Sequence, residues 1–574
     1  MKIEKISIQN YRGLSGLCVY FNAKSNYIVG KNNIGKTCML NLLDSILNGK
    51  SFLDTDFLDI CKPIKVFVTI KLSDEEIGAF SDNFSPEDEY ITNLIFQQDS
   101  PDDRLEITSA DSAEKILPRQ IKYSNFVFYS ANIKPIREND LTFNGSSYKL
   151  VPELVKKYVS DHEKVNRDEE QYDRGLLEFI NLNLSKVESF DLNNIQVGIN
   201  DDYQELITRS LTLQNENGID FSQLGFGLQF SALIPLKIID KIIYWQRYSS
   251  LEKHLSICSD GTKSLNIILG LDEPEVHLHP NLQLQLMNYI RNILNGKDEN
   301  FNSLLHELFD IDRIEGQIIA VTHSSKILSS DYHEIIRFTY NQKKITAASG
   351  NELTLGLKES KQLKRQFPYF ADALFSDGVI LVEGDTEQTA IPEFAATLGI
   401  SLVNNNVNIV RTDGVESMDS LTKLFEALKI RTVRIEDNDG KRTSDEKKGK
   451  FVTLAKDFEE ECFEMMSLFE INQYLDDYHS YIAMDDYQVN FWVEFLKKDY
   501  GEKLFSPGKC VSKINNIIKD LGDSKQVALK EIIREKLTTD YLKDKSILNG
   551  EIIAKNISKV PETYVKAINA ITNE

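Results

Sequence analysis

The chain has 574 residues, and its 66 Lys and Arg against 88 Asp and Glu give a formal net charge of −22. At about 100 to 200 residues per domain, this length predicts two to four domains. Hydrophobic residues at 41% and charged residues at 27% are typical of a globular protein and exclude a collagenous or low-complexity chain. The acidic balance argues against coating nucleic acid through bulk charge, which needs Lys and Arg, but it leaves room for a local basic groove.

The same sequence favours a cytoplasmic protein. No apolar run approaches the roughly 18 residues that a membrane span needs, and the start MKIEKISIQNYRG lacks the apolar segment of an export signal. The six cysteines are scattered, with no metal-binding or redox spacing, and we interpret them as reduced thiols. They are Cys18, Cys38, Cys61, Cys258, Cys462 and Cys510.

In chain order, residues 1–48 predict strand, strand, loop and helix, and KVFVTIKL and NFVFYS predict further strands. Residues 145–220 differ, because two apolar stretches flank the charged run DHEKVNRDEEQYDRG. This segment predicts either an ordinary helical insertion or an oligomerisation arm. Helix and strand patterns return from Gln229 to Thr339.

A second change comes near residues 361–375, after which strand and helix patterns alternate. That alternation, in GVILVEG, TAIPEFAATLGI, NVNIV, SLTKLFEALKI and RTVRIED, indicates a parallel α/β domain. We therefore divide the chain into 1–144, 145–220, 221–370 and 371–574. The first and third segments form one domain that the second interrupts.

The segment GKNNIGKT fits the phosphate-loop pattern GxxxxGK[ST], and it lies after a predicted strand at the start of a predicted helix. Its glycines let backbone amides face phosphates, its Lys reaches the terminal phosphates, and its Thr ligates Mg²⁺. The predicted nucleotide-binding residues are Gly30, Lys31, Asn32, Asn33, Gly35, Lys36 and Thr37.

Two later strands complete the predicted ATPase site. The first of these strands leads into LDEPE and its acid pair Asp272 and Glu273. We expect Asp272 to hold Mg²⁺ through water and Glu273 to polarise the attacking water. The strand IIAVTHS ends at His323, where an imidazole can contact the γ-phosphate. This position resembles the switch histidine of ABC-type ATPases.

The segment FSQLGFGLQF, with Ser222, Gly225 and Gly227, resembles a divergent ABC signature motif, although it departs from LSGGQ. With QNYRG, which contains Arg12, it completes a set that resembles the ABC-type head of the RecF and SMC class. The resemblance implies that ATP is held between two subunits, and hence a homo-oligomer, either a dimer or a tetramer.

Acidic residues follow two strands of the C-terminal domain. Glu383 follows the strand GVILV with Glu387 one helical turn later, and the strand RTVRIE is followed by Asp437 and Asp439. Parallel strands place such acids in one crevice, and clustered carboxylates favour bound cations. The two segments together resemble a Toprim domain.

An ABC-type head followed directly by Toprim resembles the overcoming-lysogenisation-defect (OLD) family over nearly the whole chain. That family cuts DNA with two metal ions, so the resemblance implies metal binding by Glu383, Glu387, Asp437 and Asp439, with Glu383 also catalytic. A further ligand, Asp485 or Asp486, is implied after the next strand in YIAMDDYQ, where Gln488 replaces the usual acid. A late catalytic Lys is implied at Lys545.

The resulting hypothesis is an α/β protein that uses ATP and Mg²⁺, with Mn²⁺ or Ca²⁺ also considered at the Toprim site, to cut double-stranded DNA in antiphage defence. The expected partner is a UvrD-like helicase, as in Gabija systems, or a reverse transcriptase with its RNA, as in retrons. The alternative is a RecF-like repair protein that uses ATP to bind DNA without cutting it. A topoisomerase is disfavoured, since the chain after Toprim leaves no room for a DNA-gate domain.

Overall fold

The structure is a computed structural model of the chain. It describes residues 1–77, 85, 88–116, 125–130, 149–162, 169–192, 194–199, 211–217, 219, 226–342, 344–438, 442–482, 491–496, 510–544 and 546–572. These residues form two compact units, Met1–Thr354 and Leu355–Glu574, here called the first and second units. The cysteines whose side chains are described, Cys18, Cys38, Cys61, Cys258 and Cys462, are free thiols.

The first unit is built on two main sheets and one hairpin. Its strands are β1 (Lys2–Gln9), β2 (Cys18–Tyr20), β3 (Ser25–Gly30), β4 (Ile64–Lys71), β5 (Ile91–Gln98), β6 (Glu106–Ser109), β7 (Phe126–Ser130), β8 (Ile195–Ile199), β9 (Leu211–Asn215), β10 (Leu255–Ile257), β11 (Lys263–Asp272), β12 (Arg313–Val321), β13 (Ile335–Asn341) and β14 (Lys344–Ser349). An antiparallel sheet has the order β2-β1-β4-β5-β6, and β8 pairs with β9.

The second main sheet of this unit positions the nucleotide site. Its order is β10-β11-β12-β3-β13-β14, with β7 also paired to β11. Strands β7, β11, β12, β3 and β13 are parallel, so their carboxyl ends share one edge. All six residues of β3 are buried, as expected of a central parallel strand that is covered on both faces.

The helices of the first unit lie between these strands in the chain. They are α1 (Lys36–Leu47), α2 (Leu150–His162), α3 (Glu169–Leu184), α4 (Glu188–Asp191), α5 (Phe226–Tyr248), α6 (Pro280–Leu294) and α7 (Glu299–Phe309). The predicted insertion 145–220 packs on the rest of the unit through polar contacts: Arg247 binds Glu153 at 2.9 Å, and Lys186 binds Glu307 at 2.6 Å. Its role as an oligomerisation arm stays a prediction.

The second unit contains a four-stranded parallel sheet surrounded by helices. The strands are β15 (Gly378–Val382), β16 (Val407–Arg411), β17 (Arg431–Glu436) and β18 (Lys450–Val452), in the order β16-β15-β17-β18. The helices are α8 (Leu357–Phe370), α9 (Asp385–Thr397), α10 (Val415–Ala427), α11 (Phe458–Met465), α12 (Leu468–Tyr481), α13 (Cys510–Asp520), α14 (Asp523–Leu537), α15 (Ile547–Lys555) and α16 (Glu562–Thr572). Residues 491–496 are also helical.

The observed division between units falls at Thr354/Leu355, ahead of the 370/371 boundary set from the sequence. The reason is that α8 packs on α10 of the second unit. Lys423 binds Glu359 at 2.6 Å, and the rings of Phe370 and Phe425 lie 5.9 Å apart, edge to face. Helix α8 therefore belongs to the second unit.

The predicted alternation of strand and helix after residue 375 is confirmed by β15, α9, β16, α10 and β17. One expectation is wrong: the segment before YIAMDDYQ is a helix, α12, and not a strand. Ser467 and Glu470 form a capping box at its start, and its apolar residues recur at helical spacing. Within the described ranges, no helix has both the length and the apolar content needed to cross a bilayer.

Candidate functional site

The phosphate loop of the first unit connects β3 to α1, as predicted. Gly30 has φ 144°, and a Cβ there would lie 2.5 Å from the carbonyl oxygen of Phe338. Gly35 caps α1 with φ 90°. Both positions need glycine, since a side chain would clash or be strained. The intervening Lys31, Asn32 and Asn33 are exposed, which leaves the loop open to a ligand.

The Lys36 side chain is buried within this loop. Its Nζ donates to the carbonyl oxygens of Gly30 and Lys31, both at 2.8 Å. Burial lowers its pKa to about 8, and the charge of Glu273 opposes that shift. The two carbonyl oxygens hold the Lys36 ammonium group inside the loop, where it can bind a phosphate that enters the loop.

Asp272 ends β11 and meets the start of α1. Its carboxylate accepts hydrogen bonds from Thr37 Oγ1 at 3.0 Å and from Ser130 Oγ at 3.4 Å. Burial raises the pKa of Asp272, while the Thr37 hydrogen bond lowers it. The Thr–Asp pair expected to hold Mg²⁺ is therefore assembled. Sequence reasoning missed Ser130, whose only signal was its place at the end of the strand NFVFYS.

Glu273 and His323 lie together at the ends of neighbouring strands β11 and β12. His323 Nε2 is 3.6 Å from Glu273 Oε1. Glu273 has φ 50°, and its N–H donates to the Val321 carbonyl at 2.9 Å, which fixes its backbone. Burial, followed by the charge of Lys36, lowers the pKa of His323 and favours the neutral imidazole.

A second glutamate, Glu275, holds the histidine in place. Its Oε1 accepts from the His323 N–H at 2.6 Å and from Thr322 Oγ1 at 2.9 Å, and burial raises its pKa. Sequence reasoning did not select Glu275. It is the last acid of LDEPE, where the adjacent pair Asp272 and Glu273 carries the clearer signal.

The other residues predicted to bind the nucleotide are Arg12, Gly227, Ser222 and Gly225. Arg12 binds Asp56 at 2.6 Å and reaches Cys38 Sγ at 3.7 Å, beside the first turn of α1. Gly227 lies in the first turn of α5. Ser222 and Gly225 lie outside the described residues, so the signature-like motif stays a prediction.

The carboxylate site of the second unit lies at the carboxyl ends of β15 and β17, which are adjacent and parallel. Glu383 follows β15 and Asp437 follows β17, as the spacing predicted. The Asp437 N–H donates to Glu383 Oε1 at 3.1 Å, and Asp437 Oδ1 accepts from the Phe458 N–H at 3.2 Å. The two acids are thus joined through the backbone.

Glu387 is only 2% exposed, and it supports the loop that carries Glu383. Its Oε2 accepts from the N–H groups of Glu383 at 3.1 Å and Gly384 at 2.8 Å, and its Oε1 accepts from the Tyr564 hydroxyl at 3.3 Å. Burial, and then the charge of Asp437, raise its pKa well above the ordinary value. Both oxygens of Glu387 therefore accept hydrogen bonds that hold the Glu383 loop, and its predicted role as a metal ligand stays a prediction.

A cavity of about 210 Å³ opens between these side chains. Its wall also contains two acids that sequence reasoning did not select, Asp385 and Glu459. Asp385 binds Arg411 at 3.2 Å, and Glu459 accepts from Thr386 Oγ1 at 3.3 Å. Glu459 is hard to find from sequence because it lies in the acidic run DFEEE, which looks like a solvated helix start.

Arg442 contributes the positive charge nearest Glu383. Its Nη1 donates to Glu383 Oε1 at 2.6 Å and to the Asp437 carbonyl at 3.0 Å. The arginine therefore neutralises part of the acid cluster. No sequence motif marks this residue.

The donor set fits a hard divalent cation, which prefers carboxylate oxygens. Burial, and then the charge of neighbouring acids, raise the pKa of Glu387, and a bound cation would relieve both effects. Across the described part of the chain, no three His, Cys, Asp or Glu side chains converge closely enough to hold a metal. Several predicted site residues lie outside the described residues. They are the predicted ligands Asp439, Asp485 and Asp486, the neighbouring Gln488, and the predicted catalytic Lys545.

Comparisons with known protein families agree with both sites. A family model described as an AAA ATPase domain matches residues 1–178 and 176–328. Another, described as the overcoming lysogenization defect protein-like TOPRIM domain, matches residues 374–439. The second match contains Glu383, Glu387 and Asp437.

Two curated relatives are nucleases. Endonuclease GajA of Bacillus cereus (strain HuB5-5) is 24% identical over 541 residues, covering 74% of this chain and 73% of the relative. The Old nuclease of Escherichia phage P2 is 25% identical over 233 residues, covering 38% of this chain and 34% of the relative.

Two solved structures align with the chain at low scores. One is the Smc head bound to the C-winged helix domain of ScpA, with a TM-score of 0.35, 13% identity, and coverage of 63% of this chain and 99% of that chain. The other is the recombination mediator protein RecF of the RecFOR pathway, with a TM-score of 0.32, 14% identity, and coverage of 60% and 97%.

The protein is therefore an ATPase joined to a TOPRIM domain, and it uses a nucleotide and a divalent metal. Residues 1–328, more than half of the chain, belong to the AAA ATPase domain family, and residues 374–439 match the overcoming lysogenization defect protein-like TOPRIM model. Together with the two nuclease relatives, these domains support a metal-dependent endonuclease. The resemblance drawn from GKNNIGKT, LDEPE and VEGDTE is confirmed.

Proposed function

We propose that this protein cuts double-stranded DNA in the cytoplasm, with Mg²⁺ at the TOPRIM site and ATP at the head, as a homo-oligomer that acts in antiphage defence. The observation that carries the proposal is the pairing of Glu383 with Asp437 at adjacent strand ends, joined by a 3.1 Å hydrogen bond over an acid-lined cavity. Strand ends of a parallel sheet are where such folds bind their ligands.

In this proposal, Glu383 and Asp437 are the first metal ligands and Glu387 fixes the backbone that presents Glu383. Asp439 and Asp486 are assigned as further ligands, and Lys545 as a contact to the scissile phosphate. A bound Mg²⁺, or Mn²⁺ or Ca²⁺ in its place, would supply charge stabilisation to the phosphate and a more acidic water. The chain's own part is to hold the acids at the wall of the cavity.

At the head, Lys36 and the loop amides would bind the phosphates of ATP, while Thr37 and Asp272 hold its Mg²⁺. Glu273 would orient the attacking water and His323 the γ-phosphate, with Glu275 fixing the histidine. We assign Arg12 to the edge of this site. Ser222, Gly225 and Gly227 would complete the site of a second subunit.

The defence role rests on the relative named Endonuclease GajA. That likeness favours a Gabija arrangement, with a UvrD-like helicase as partner. A retron reverse transcriptase with its RNA is the other partner class.

Plasmid cleavage with Glu383→Gln tests the nuclease site. The substitution removes a metal-binding charge and should lower the cleavage rate by about a thousandfold or more, since a missing ligand removes several kcal/mol of charge stabilisation. ATP turnover should be unchanged because its acids lie in the first unit. Glu426→Gln, an exposed glutamate on α10 of the same unit, is the matched control.

The assay incubates purified protein with supercoiled plasmid, Mg²⁺ or Mn²⁺, and a series of ATP concentrations. Gel electrophoresis then measures the rate at which nicked and linear plasmid appear. Wild type and Glu426→Gln should linearise or nick the plasmid at equal rates. Cleavage by Glu383→Gln at the parent rate would contradict the assignment of this site.

A further inference from the structure

The first unit contains a large open groove that neither the nucleotide site nor the TOPRIM site uses. It has a volume of about 590 Å³ and lies between the end of α1, the start of β7 and one face of α5. Leu47 and Asn48 form the α1 wall, and Phe126 and Phe128 form the β7 wall. All of its lining residues belong to this one unit.

Aromatic side chains on α5 line this groove and face solvent. Tyr244 is 54% exposed and Tyr248 is 70% exposed, and their ring centroids lie 5.1 Å apart. Between them in sequence, Trp245 is buried and stacks on His254 at 4.7 Å. The groove thus presents two exposed aromatic rings, which are surfaces on which a flat partner can stack.

Lysines continue the same face of α5 toward its start. Lys237 and Lys241 precede Tyr244 and Tyr248 at helical spacing, and all four line the groove. Lys241 Nζ lies 5.7 Å from the Tyr244 ring and 5.6 Å from the Trp245 ring, and it donates to Asn48 Oδ1 at 3.3 Å. Its burial lowers its pKa, which is the expected result when a cation is desolvated.

The groove therefore combines cations and stacking surfaces, together with the acids Asp44 and Asp240 on its wall, in a chain whose net charge is −22. Lys50 adds a further cation at the rim, where it pairs with Asp44. A second hollow of about 120 Å³, which contains Lys149 and Arg247, continues past Tyr244 and Tyr248. The two hollows share Asp240, Tyr244 and Tyr248 in their walls.

We propose that this groove binds an unpaired nucleic-acid strand, with Tyr244 and Tyr248 stacking on bases and Lys237 and Lys241 binding phosphates. A base has an aromatic face whatever its sequence, and each phosphate carries one negative charge, so this surface is complementary to a single strand. A duplex keeps its bases stacked inside and cannot use the two tyrosines. Strand binding goes beyond the proposed nuclease function, since it needs neither metal nor cleavage.

The groove is also placed to communicate with the nucleotide. Helix α1 begins at Lys36 in the phosphate loop and ends at Leu47 in the groove, which is about 18 Å for its twelve residues. Strand β7 likewise runs from Phe126 in the groove to Ser130 beside Asp272. A bound strand and a bound nucleotide would contact opposite ends of the same two elements.

Fluorescence anisotropy with a labelled dT20 oligonucleotide, in EDTA and without nucleotide, tests the proposal. Wild type should bind, and Tyr244→Ala with Tyr248→Ala should weaken binding at least tenfold, whereas Tyr244→Phe with Tyr248→Phe should bind as wild type does. Lys237→Ala with Lys241→Ala should lower the slope of log affinity against log salt by about 1.4, because each phosphate that a lysine neutralises contributes about 0.7 to that slope. Tyr369→Ala and Lys364→Ala, both exposed on α8, are the matched controls.

Retained ATP binding and an unchanged circular dichroism spectrum establish that each variant is folded. Equal affinity of wild type and the tyrosine-to-alanine double variant overturns the proposal, as does the absence of oligonucleotide binding by wild type. Competition by thymidine monophosphate at the oligonucleotide's own affinity would also overturn it, in favour of a mononucleotide site. Because cleavage is not measured, Glu383→Gln should bind the oligonucleotide normally, so failure of the nuclease assignment leaves this result unaffected.

Discussion

Lys36 shows how a single buried cation can make nucleotide binding depend on pH. Its pKa is lowered to about 8 in the protein by burial, and phosphates of a bound nucleotide would raise it again. ATP affinity should therefore be full below about pH 8 and fall as the pH rises above it. From pH 7 to pH 9 we expect a loss of about tenfold, which calorimetry at constant ionic strength would measure.

Lys36→Met is the control for this pH dependence. It should bind ATP weakly at both pH values, with no decline between them, because the titrating group is gone. A decline of similar size in the Met variant would assign the titration to another residue.

Arg442 forms an ion pair with Glu383, at 2.6 Å between Nη1 and Oε1, and so partly neutralises this carboxylate. Since the guanidinium competes with a cation for the same carboxylate, Arg442→Ala should tighten metal binding. Both side chains are partly exposed, so the expected gain is modest, up to about fivefold. Titration with Mn²⁺, followed by calorimetry, gives the affinity directly.

Arg431→Ala, an exposed arginine at the start of β17, is the matched control and should leave Mn²⁺ affinity unchanged. Weaker metal binding in Arg442→Ala would show that the arginine organises the acids rather than competing for them.

Among the elements, α9 and α15 approach each other closely enough to need glycine. A Cβ at Gly550 on α15 would lie 2.1 Å from the Thr386 carbonyl oxygen of α9, and Thr389 Oγ1 donates to the Ile547 carbonyl at 2.6 Å. Helix α9 begins at Asp385, next to Glu383, so this contact sets the position of the acid loop. Gly550→Ala should destabilise the protein by about 1–3 kcal/mol and slow cleavage.

Thermal unfolding and plasmid cleavage, measured on the same preparation, test this contact. Gly522→Ala, at the start of α14, has nothing within 4 Å of the added Cβ and should change stability by less than about 0.5 kcal/mol. If Gly550→Ala has the same melting temperature as wild type, the two helices can move apart at no cost in stability. Their contact then does not set the position of the acids.

The whole molecule is expected to be a homo-oligomer. The signature-like residues Ser222, Gly225 and Gly227 have no use in their own subunit if they bind a nucleotide held by a partner head, and isologous pairing satisfies both sites at once. Light scattering at micromolar concentration should give a dimer or tetramer. A monomer, with and without ATP, would contradict this prediction and remove the shared ATP site from the proposed mechanism.

The local patterns of the sequence determined much of this protein. The sequence marked the phosphate loop, the acid pair after β11, the histidine after β12 and the acids after β15 and β17, because each lies in a motif or directly after an apolar run typical of a buried strand. The parallel α/β character of the C-terminal half followed from alternating periods in the same way.

Only the tertiary structure decided which side chains from distant segments meet. Ser130 reaches Asp272, and Glu459 joins the cavity beside Glu383, although no local pattern connects either pair. The family resemblance implied that Glu387 is a metal ligand, which stays a prediction, but only the fold shows that this glutamate is buried and accepts three hydrogen bonds at the loop that carries Glu383. The spacing of apolar residues predicts which face of a helix or strand is buried. Which side chains from different elements touch, and how far their charges are desolvated, depends on the packing of the whole fold.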